Sequence, residues 1–230
     1  MSLKILGISA SPRGKANSYY LLGIALEEAK KVAQDAKIDV YSFEKKTFSP
    51  CVHCYGCRKE GVCVINDDFQ DLAERWIAAD AIIYSVPVYH MSIPGQLKCF
   101  IDRLGHSVIV NLAPGQGQTT MTKPLKCIGI ITQGMSIFAG QEHAATLLIN
   151  HALLSGCLPV PGNLWESHLG GSGWTERLRE VDAIERLNAQ GTISAKAAVS
   201  SAASLGQNVA QLARIIEAGR NALSSGRGNP

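Results

Sequence analysis

Two kinds of segment alternate along most of the chain, distinguished by how their apolar positions are spaced. Short, continuously apolar runs are typical of strands buried on both faces; they extend over Leu3 to Ser9, Ile38 to Phe43, Ala81 to Val86 and Leu125 to Thr132, with a last one near Leu158. Segments with apolar residues at helical spacing separate them; they begin at about Asn17 and at Asp67, and extend over Ile93 to Leu104 and about Gln141 to Leu154. This alternation predicts a parallel sheet with helices on both faces.

We therefore predict an α/β fold with a flavodoxin-like, five-stranded parallel sheet, in a single domain over residues 1–223. Its ligand should bind beyond the carboxyl ends of the strands, where the strand order reverses. The domain contains a cysteine-rich loop at 48–66 and a C-terminal helical extension over about 175–223, made of Ala-rich stretches at about 175–187 and 194–223. Residues 105–123 are predicted to be an excursion, 162–175 have no assignment, and 224–230 form a flexible tail.

Composition excludes several classes of partner. The net charge is only +3, without a block of Lys and Arg, so nucleic acid is not an expected partner. No run of eighteen apolar residues is present, so no membrane span is expected. The N-terminal residues lack the pattern of a signal peptide, and we expect a cytoplasmic protein. Because that compartment is reducing, the seven cysteines indicate ligation or burial rather than disulfides.

Four cysteines follow the spacing C-x-x-C-x-x-C-x5-C; they are Cys51, Cys54, Cys57 and Cys63. Two-residue spacers let a short loop curl so that its sulfurs converge, which favours an iron-sulfur cluster held by four thiolates. Zinc is an alternative, although structural zinc generally uses two separated C-x-x-C pairs. A further alternative is that these thiols bind nothing or ligate only in part, with His53 distorting or sharing the ligation. The other cysteines, Cys99, Cys127 and Cys157, lie in apolar segments and are predicted to be packed thiols.

The loop after the first strand is a candidate phosphate site. Its side chains supply hydroxyls, a guanidinium and an amide just before a helix N-terminus; they are Ser9, Ser11, Arg13, Asn17 and Ser18. Backbone N–H groups at a helix N-terminus bind phosphate, and an Arg adds a charged, bidentate donor. The alternative is an ordinary Ser/Pro turn that caps the helix. No G-x-G-x-x-G motif follows a strand, so the sequence indicates no dedicated dinucleotide site.

Two stretches after the third strand carry a specific resemblance. Ser85-Val86-Pro87-Val88-Tyr89 resembles the S-P-V-Y loop of NADPH-dependent FMN reductases, with Val86 inserted, and Leu97-Lys98-Cys99-Phe100-Ile101-Asp102-Arg103 resembles their L-K-x-F-I-D-R helix. Ser11-Pro12-Arg13 with Asn17-Ser18 is similar to the FMN phosphate loop of that family. With the cysteines after this loop, the chain resembles the iron-sulfur flavoprotein branch of the family over about residues 3 to 160.

The resemblance implies FMN as the cofactor. It assigns the phosphate to Ser9, Ser11, Arg13, Asn17 and Ser18, the edge of the isoalloxazine ring to Pro87, Val88, Tyr89 and Met91, and a third loop under the ring to Thr132, Gln133 and Gly134. Independently, a flat amphipathic ring needs apolar or aromatic cover, which Tyr89 can supply. The alternative is that Tyr89 and Met91 are packing residues at a helix start.

The resemblance also implies a [4Fe-4S] cluster on Cys51, Cys54, Cys57 and Cys63, near the flavin of a neighbouring subunit, and therefore a homo-oligomer, dimer or tetramer. We expect an FMN-dependent oxidoreductase that transfers electrons between a reduced donor, ferredoxin or NAD(P)H, and a small acceptor such as a quinone. The alternatives are a cluster-free NAD(P)H-dependent FMN or quinone reductase and a non-catalytic flavin electron carrier.

No side chain is predicted to be catalytic, because the flavin itself performs the redox chemistry. His53 and His90 are the residues that a proton transfer would use, and the alternative for each is a solvent-facing loop position. Asp102 and Arg103, near the end of their helix, are expected to have structural roles as caps or ion-pair partners.

Overall fold

The computed structural model describes residues 2–109 and 125–226. The strands are β1 Lys4–Ser9, β2 Lys37–Ser42, β3 Ala81–Pro87, β4 Cys127–Gly134, β5 Leu158–Val160 and β6 Gly171–Trp174. The α-helices are α1 Asn17–Val32, α2 Gly56–Glu60, α3 Phe69–Ala78, α4 Gly95–Leu104, α5 Gln141–Leu154, α6 Ala183–Ala189 and α7 Ile193–Gly226. A π-helical segment, Gly105–Ile109, continues α4, and a 3-10 helix covers Trp165–Ser167. The predicted alternation of strands and helices is confirmed.

The sheet is parallel with the order β2-β1-β3-β4-β5, and β6 also pairs with β4. This is the flavodoxin-like order, with the reversal between β1 and β3. Within residues 2–109 and 125–226 the sheet has six strands, one more than the five predicted. β5 pairs with β4 over Cys127–Gly129, and β6 pairs with the same edge over Ile131–Gly134.

β6 comes from the segment that the sequence left unassigned, because its glycines hide the alternation of a strand. These glycines are needed because the backbone here passes very close to its neighbours. At Gly170, where φ is +122°, a Cβ would lie 2.2 Å from the carbonyl oxygen of Ile130. At Gly173, a Cβ would lie 2.7 Å from the Cβ of Ala198 in α7. This Gly-rich stretch is therefore a strand that pairs with β4 and packs against α7.

Apolar clusters cover both faces of the sheet. One contains Trp76, Phe100 and Leu148 from α3, α4 and α5, and the other contains side chains of α1 and α7. α7 crosses α1 so closely that a Cβ at Gly206 would lie 2.0 Å from the carbonyl oxygen of Ala25. The C-terminal extension is thus an integral layer of the domain.

Within that extension, the predicted helix at 194–223 is confirmed as α7, whereas the one at 175–187 is corrected. The helix α6 begins only at Ala183. Before it, Glu176 and Arg177 have φ of +52° and +66°, which a helix cannot accommodate. Of the predicted excursion, 105–109 form the π-helical segment and the rest lies outside the described residues. The predicted tail is corrected, because 224–226 belong to α7; its residues 227–230 lie outside the described residues. None of the described helices combines the length and hydropathy needed to cross a bilayer.

Candidate functional site

A cavity of about 510 Å³ opens where the strand order reverses, at the carboxyl ends of β1, β3 and β4. Its volume is in the range of sites for small molecules and cofactors. Predicted site residues line much of it: Arg13, Asn17, Pro87, Val88, Tyr89, Gln133 and Gly134. The remaining lining residues are His90, Met135, Thr175, Leu178 and Arg179. The sequence therefore predicted the place of the cavity and most of its walls.

The loop between β1 and α1 has donors without protein partners. Ser9 is buried, and its Oγ has no hydrogen-bond partner among the described residues. A buried hydroxyl left in this state costs about 1–3 kcal/mol, so a ligand oxygen would be stabilising there. Ala16 precedes α1 without a side-chain cap, which leaves the first N–H groups of the helix available. Arg13 is exposed beside them, and its backbone N donates to Ser11 Oγ at 3.2 Å. The loop fits the phosphate of FMN.

Two of the predicted phosphate residues have other partners. Asn17 Oδ1 accepts a hydrogen bond from Ile184 N at 2.8 Å, and its Nδ2 donates to the Glu180 carbonyl at 3.3 Å. Ser18 Oγ accepts from Gln133 Nε2 at 3.4 Å. These side chains connect the first loop to the C-terminal region and to β4, and their contact with phosphate stays a prediction.

The loop after β3 makes a tight hairpin turn at 89–92. Tyr89 and Ser92 exchange backbone hydrogen bonds of 2.8 and 2.9 Å. Between them, His90 and Met91 have φ of +46° and +63°, as in a type I′ turn, although neither is Gly. Tyr89 is 42% exposed and Met91 50% exposed. The alternative that these two side chains pack in the core is therefore wrong, and the Tyr89 ring is accessible to a ligand.

A second cavity, of about 500 Å³, lies on the other side of this turn. Met91 and Thr132 line it, together with Ile137, His143 and Trp174. Thr132 faces away from the first cavity because side chains alternate along β4, and its neighbour Gln133 points towards α1. The structure thus separates Met91 and Thr132 from the other residues predicted to contact the flavin.

The four predicted cluster ligands come together. Cys51, Cys54, Cys57 and Cys63 line one small cavity of about 40 Å³ with Arg103 and His106. The loop curls at His53 and Tyr55, which have φ of +53° and +58° and whose rings lie 4.4 Å apart. All seven cysteines belong to the described residues, and none forms a disulfide. Cys127 and Cys157 are buried as predicted, and Cys99 is partly buried.

The sulfurs share a cavity without surrounding one point. In the described part of the chain, no group of three or more His, Cys, Asp or Glu residues is arranged around a single ion. A tetrahedral zinc site would require all four sulfurs about 2.3 Å from one atom. Four cysteine thiolates are also the donor set of a [4Fe-4S] cluster.

Arg103 fastens the cysteine loop to α4. Its side chain is 1% exposed, and Nη1 donates to both carboxylate oxygens of Asp67 at 2.7 Å. Nη2 donates to the Ile65 carbonyl at 2.7 Å, and Nε donates to Cys63 Sγ at 3.3 Å. The structural role predicted for this residue is confirmed. Its contact with a predicted cluster ligand was missed, because the sequence gives no signal for a contact over 40 residues.

Asp67 is the buried counter-ion of Arg103. Burial alone would raise the pKa of this carboxyl, but hydrogen bonds from Ser49 N, from Arg103 and from Phe69 N outweigh burial and hold the pKa below its usual value. The Arg103 guanidinium also lies over the Phe69 ring, 4.3 Å from its centroid. The ion pair is therefore preorganised, and it fixes both ends of the cysteine loop.

These features define a flavodoxin-like α/β protein with a flavin-sized cavity at the strand reversal and a separate cysteine cavity. Residues 3–170 match the model of the NADPH-dependent FMN reductase family. An iron-sulfur flavoprotein of Methanosarcina thermophila is 33% identical over 172 residues, which cover 75% of this chain and 83% of that protein. One of Archaeoglobus fulgidus is 31% identical over 171 residues, covering 74% and 82%. The chain belongs to the NADPH-dependent FMN reductase family, in its iron-sulfur flavoprotein branch, and is a flavin-dependent oxidoreductase.

Solved structures agree on the fold. The chain superposes on RosB with a bound flavin intermediate at a TM-score of 0.64 and 16% identity, covering 100% of this chain and 89% of that one. For the NAD(P)H:quinone oxidoreductase of Methanothermobacter marburgensis, the TM-score is 0.61 at 14% identity, with 91% and 98% covered. At these identities the comparison establishes the flavodoxin-like architecture alone.

Proposed function

We propose that the chain binds FMN in the 510 Å³ cavity and a [4Fe-4S] cluster on Cys51, Cys54, Cys57 and Cys63. It then transfers electrons between a reduced donor, ferredoxin or NAD(P)H, and a small acceptor such as a quinone. One observation carries the proposal: the four cysteines of the loop line a single cavity. The same chain has a cavity large enough for a flavin where its strand order reverses.

Each group of residues has a physical task in this proposal. Arg13 and the N-terminus of α1 neutralise the phosphate dianion, and Ser9 supplies a buried hydroxyl for it. The exposed Tyr89 covers the flavin ring, while Gln133 and Gly134 bring backbone groups to its edge. His90 lines the cavity and is exposed, so it can exchange a proton with solvent. Bound FMN supplies one- and two-electron chemistry, and the cluster supplies one-electron transfer.

The proposal includes a homo-oligomer, dimer or tetramer. The cysteine cavity contacts the C-terminal end of α4, whereas the flavin cavity lies beside the loop before its N-terminus. This ten-residue helix, about 15 Å long, lies between them. Apolar or aromatic side chains are exposed at both places, among them Val52 and Val62 in the cysteine loop and Tyr89 at the flavin cavity. If the cysteine loop of one subunit packed on the flavin cavity of its neighbour, the exposed apolar side chains at both places would be buried. The distance between cluster and flavin would also become shorter than it is within one subunit.

One observation favours a second candidate, a cluster-free NAD(P)H-dependent FMN or quinone reductase. The cysteine cavity holds only about 40 Å³, so the loop must open to admit a cluster. In that candidate the thiols bind nothing, and the same flavin cavity carries the activity alone.

Metal and flavin analysis tests the proposal. Protein purified and reconstituted without oxygen should contain one FMN and about four irons with matching sulfide per chain. Cys57→Ser should lose the iron and keep the FMN, whereas the matched control Cys99→Ser, in α4 outside the loop, should keep both. Full iron in Cys57→Ser would refute ligation by that thiol. Iron-free wild-type protein that turns over NAD(P)H with a quinone would establish the second candidate.

A further inference from the structure

Residues 175–180 form a segment that we call the strap. It lies outside the match to the FMN reductase family, which ends at residue 170. These residues connect β6 to α6 and are not helical, since Glu176 and Arg177 both have positive φ. The match therefore gives them no role. Three of them, Thr175, Leu178 and Arg179, nevertheless line the 510 Å³ cavity.

Hydrogen bonds hold the first half of the strap to the loop after β4. Thr175 N donates to the Gly134 carbonyl at 3.0 Å, and Arg177 N donates to the Met135 carbonyl at 2.7 Å. Thr175 Oγ1 donates to the Leu178 carbonyl at 2.7 Å, which closes the turn of the strap on itself. These bonds fix the strap over the carboxyl end of β4.

The second half of the strap is held to the phosphate loop. Arg13 Nη1 donates to the Arg179 carbonyl at 3.4 Å. Asn17, which is 1% exposed, donates from Nδ2 to the Glu180 carbonyl at 3.3 Å. The strap thus joins two of the three loops that form the cavity, and it places Arg179 beside Arg13.

The charge of the cavity wall follows from this placement. Arg13 and Arg179 both line the cavity, and none of the described lining residues is acidic. A guanidinium fork matches phosphate geometry and stays charged at every accessible pH. Leu178, on the same wall, offers apolar contact to the uncharged part of a flavin.

We infer that the strap is a wall of the flavin site, in which Arg179 joins Arg13 on the FMN phosphate and Leu178 packs against the rest of the flavin. This inference rests on the proposed function, because it takes FMN to be the occupant of the cavity. It adds a phosphate-binding residue and a positioning segment from the C-terminal region that the resemblance does not cover.

Paired titrations of flavin-free protein with FMN and riboflavin, followed by quenching of flavin fluorescence, test it. Riboflavin lacks the phosphate and is otherwise the same ligand. Arg179→Gln should weaken FMN binding by about 10- to 100-fold, the range expected for a lost charge-assisted hydrogen bond, and should leave riboflavin binding within about twofold. Leu178→Ala should weaken both flavins by the same factor.

Arg177→Gln is the matched control. It removes the same charge from the same strap, but Arg177 is exposed and does not line the cavity. Its affinity for both flavins should equal that of wild type. In wild type, FMN should also protect the peptide bonds after Arg177 and Arg179 from trypsin. Because Arg179 is exposed, thermal unfolding of the flavin-free variant should match wild type.

The inference is overturned if Arg179→Gln binds FMN as tightly as wild type, or if Arg177→Gln loses as much affinity as Arg179→Gln. Wild-type protein that binds neither flavin would instead refute the proposed function. The two failures are therefore distinguishable in the same set of titrations.

Discussion

The flavin cavity and the cysteine cavity are built in opposite ways. The flavin cavity forms at the ends of β1, β3 and β4, and hydrogen-bonded backbone from the strap closes it. The cysteine loop extends from the sheet, exposes apolar side chains such as Val52 and Val62, and is fastened largely through Arg103. The difference teaches that the sheet and its loops shape the flavin site, whereas the cysteine loop is held by a few side chains. These are chiefly the buried Arg103–Asp67 ion pair and Gln70, which donates to the carbonyls of Cys63 and Ile65.

Breaking that ion pair should give the largest effect. Arg103→Met leaves the buried Asp67 carboxylate without its counter-ion, and removing one partner of such a pair costs about 3–5 kcal/mol. Urea unfolding of the cofactor-free protein at pH 7 measures this loss. Asp102→Asn is the control, because its ion pair with Lys98 is exposed and should contribute less than about 1 kcal/mol.

Arg103→Lys tests whether the cysteine loop can be disturbed without affecting the flavin site. It keeps the charge but loses the fork that reaches Asp67, Ile65 and Cys63 together. We expect reconstituted iron to fall while FMN affinity stays at the wild-type value. An equal loss of iron and FMN would contradict the independence of the two sites.

Acid should destabilise the fold by protonating the buried His151 in α5. This residue is buried, contacts Tyr84 OH through Nε2 at 3.4 Å, and has its pKa lowered by burial to about 4. In the unfolded chain the pKa of this histidine is near 6.5, so between pH 6.5 and 4 the unfolded chain binds a proton that the folded chain does not. The contribution of neutral His151 to the unfolding free energy is therefore present above pH 6.5 and is lost as pH falls towards 4. The loss between pH 6.5 and 5 should be about 2 kcal/mol.

Unfolding free energies at these two pH values check the histidine prediction. His151→Gln should flatten the decline, whereas the control His143→Gln, at an exposed position of α5, should keep it. An unchanged slope in His151→Gln would assign the acid sensitivity to other groups.

The smallest expected effects come from two paired serines of the sheet. Ser9 and Ser85 face each other in β1 and β3 and are both buried. Ser85 Oγ donates to the Ser18 carbonyl at 2.7 Å, whereas Ser9 Oγ has no partner among the described residues. Ser9→Ala should weaken FMN binding by about 1 kcal/mol without destabilising the flavin-free protein.

Ser85→Ala should do the reverse, with a loss of about 1 kcal/mol in unfolding free energy. Calorimetric unfolding of both flavin-free variants, with FMN titrations, separates the two roles. Similar destabilisation by both substitutions would show that Ser9 has a structural partner after all.

Local patterns explain what the sequence could predict. The strands β1, β3 and β4 are continuous apolar runs, and the residues at their ends must meet because parallel strands share one edge. β6 was not predicted, because its glycines hide the alternation of apolar and polar side chains that marks a strand. Its place is determined by the backbone of Ile130 and by α7. The strap and the contact of Arg103 with Cys63 depend on tertiary packing across distant parts of the chain, for which no local signal exists.

A crystal structure of the FMN-loaded protein tests the central claim most directly, because two cavities of about 510 and about 500 Å³ flank the hairpin turn at 89–92. We predict the flavin in the first cavity, with its phosphate at the loop of Ser9 and Arg13 and its ring beside Tyr89. FMN seated between Ile137 and Trp174 in the second cavity, with the first one filled by water, would contradict this account.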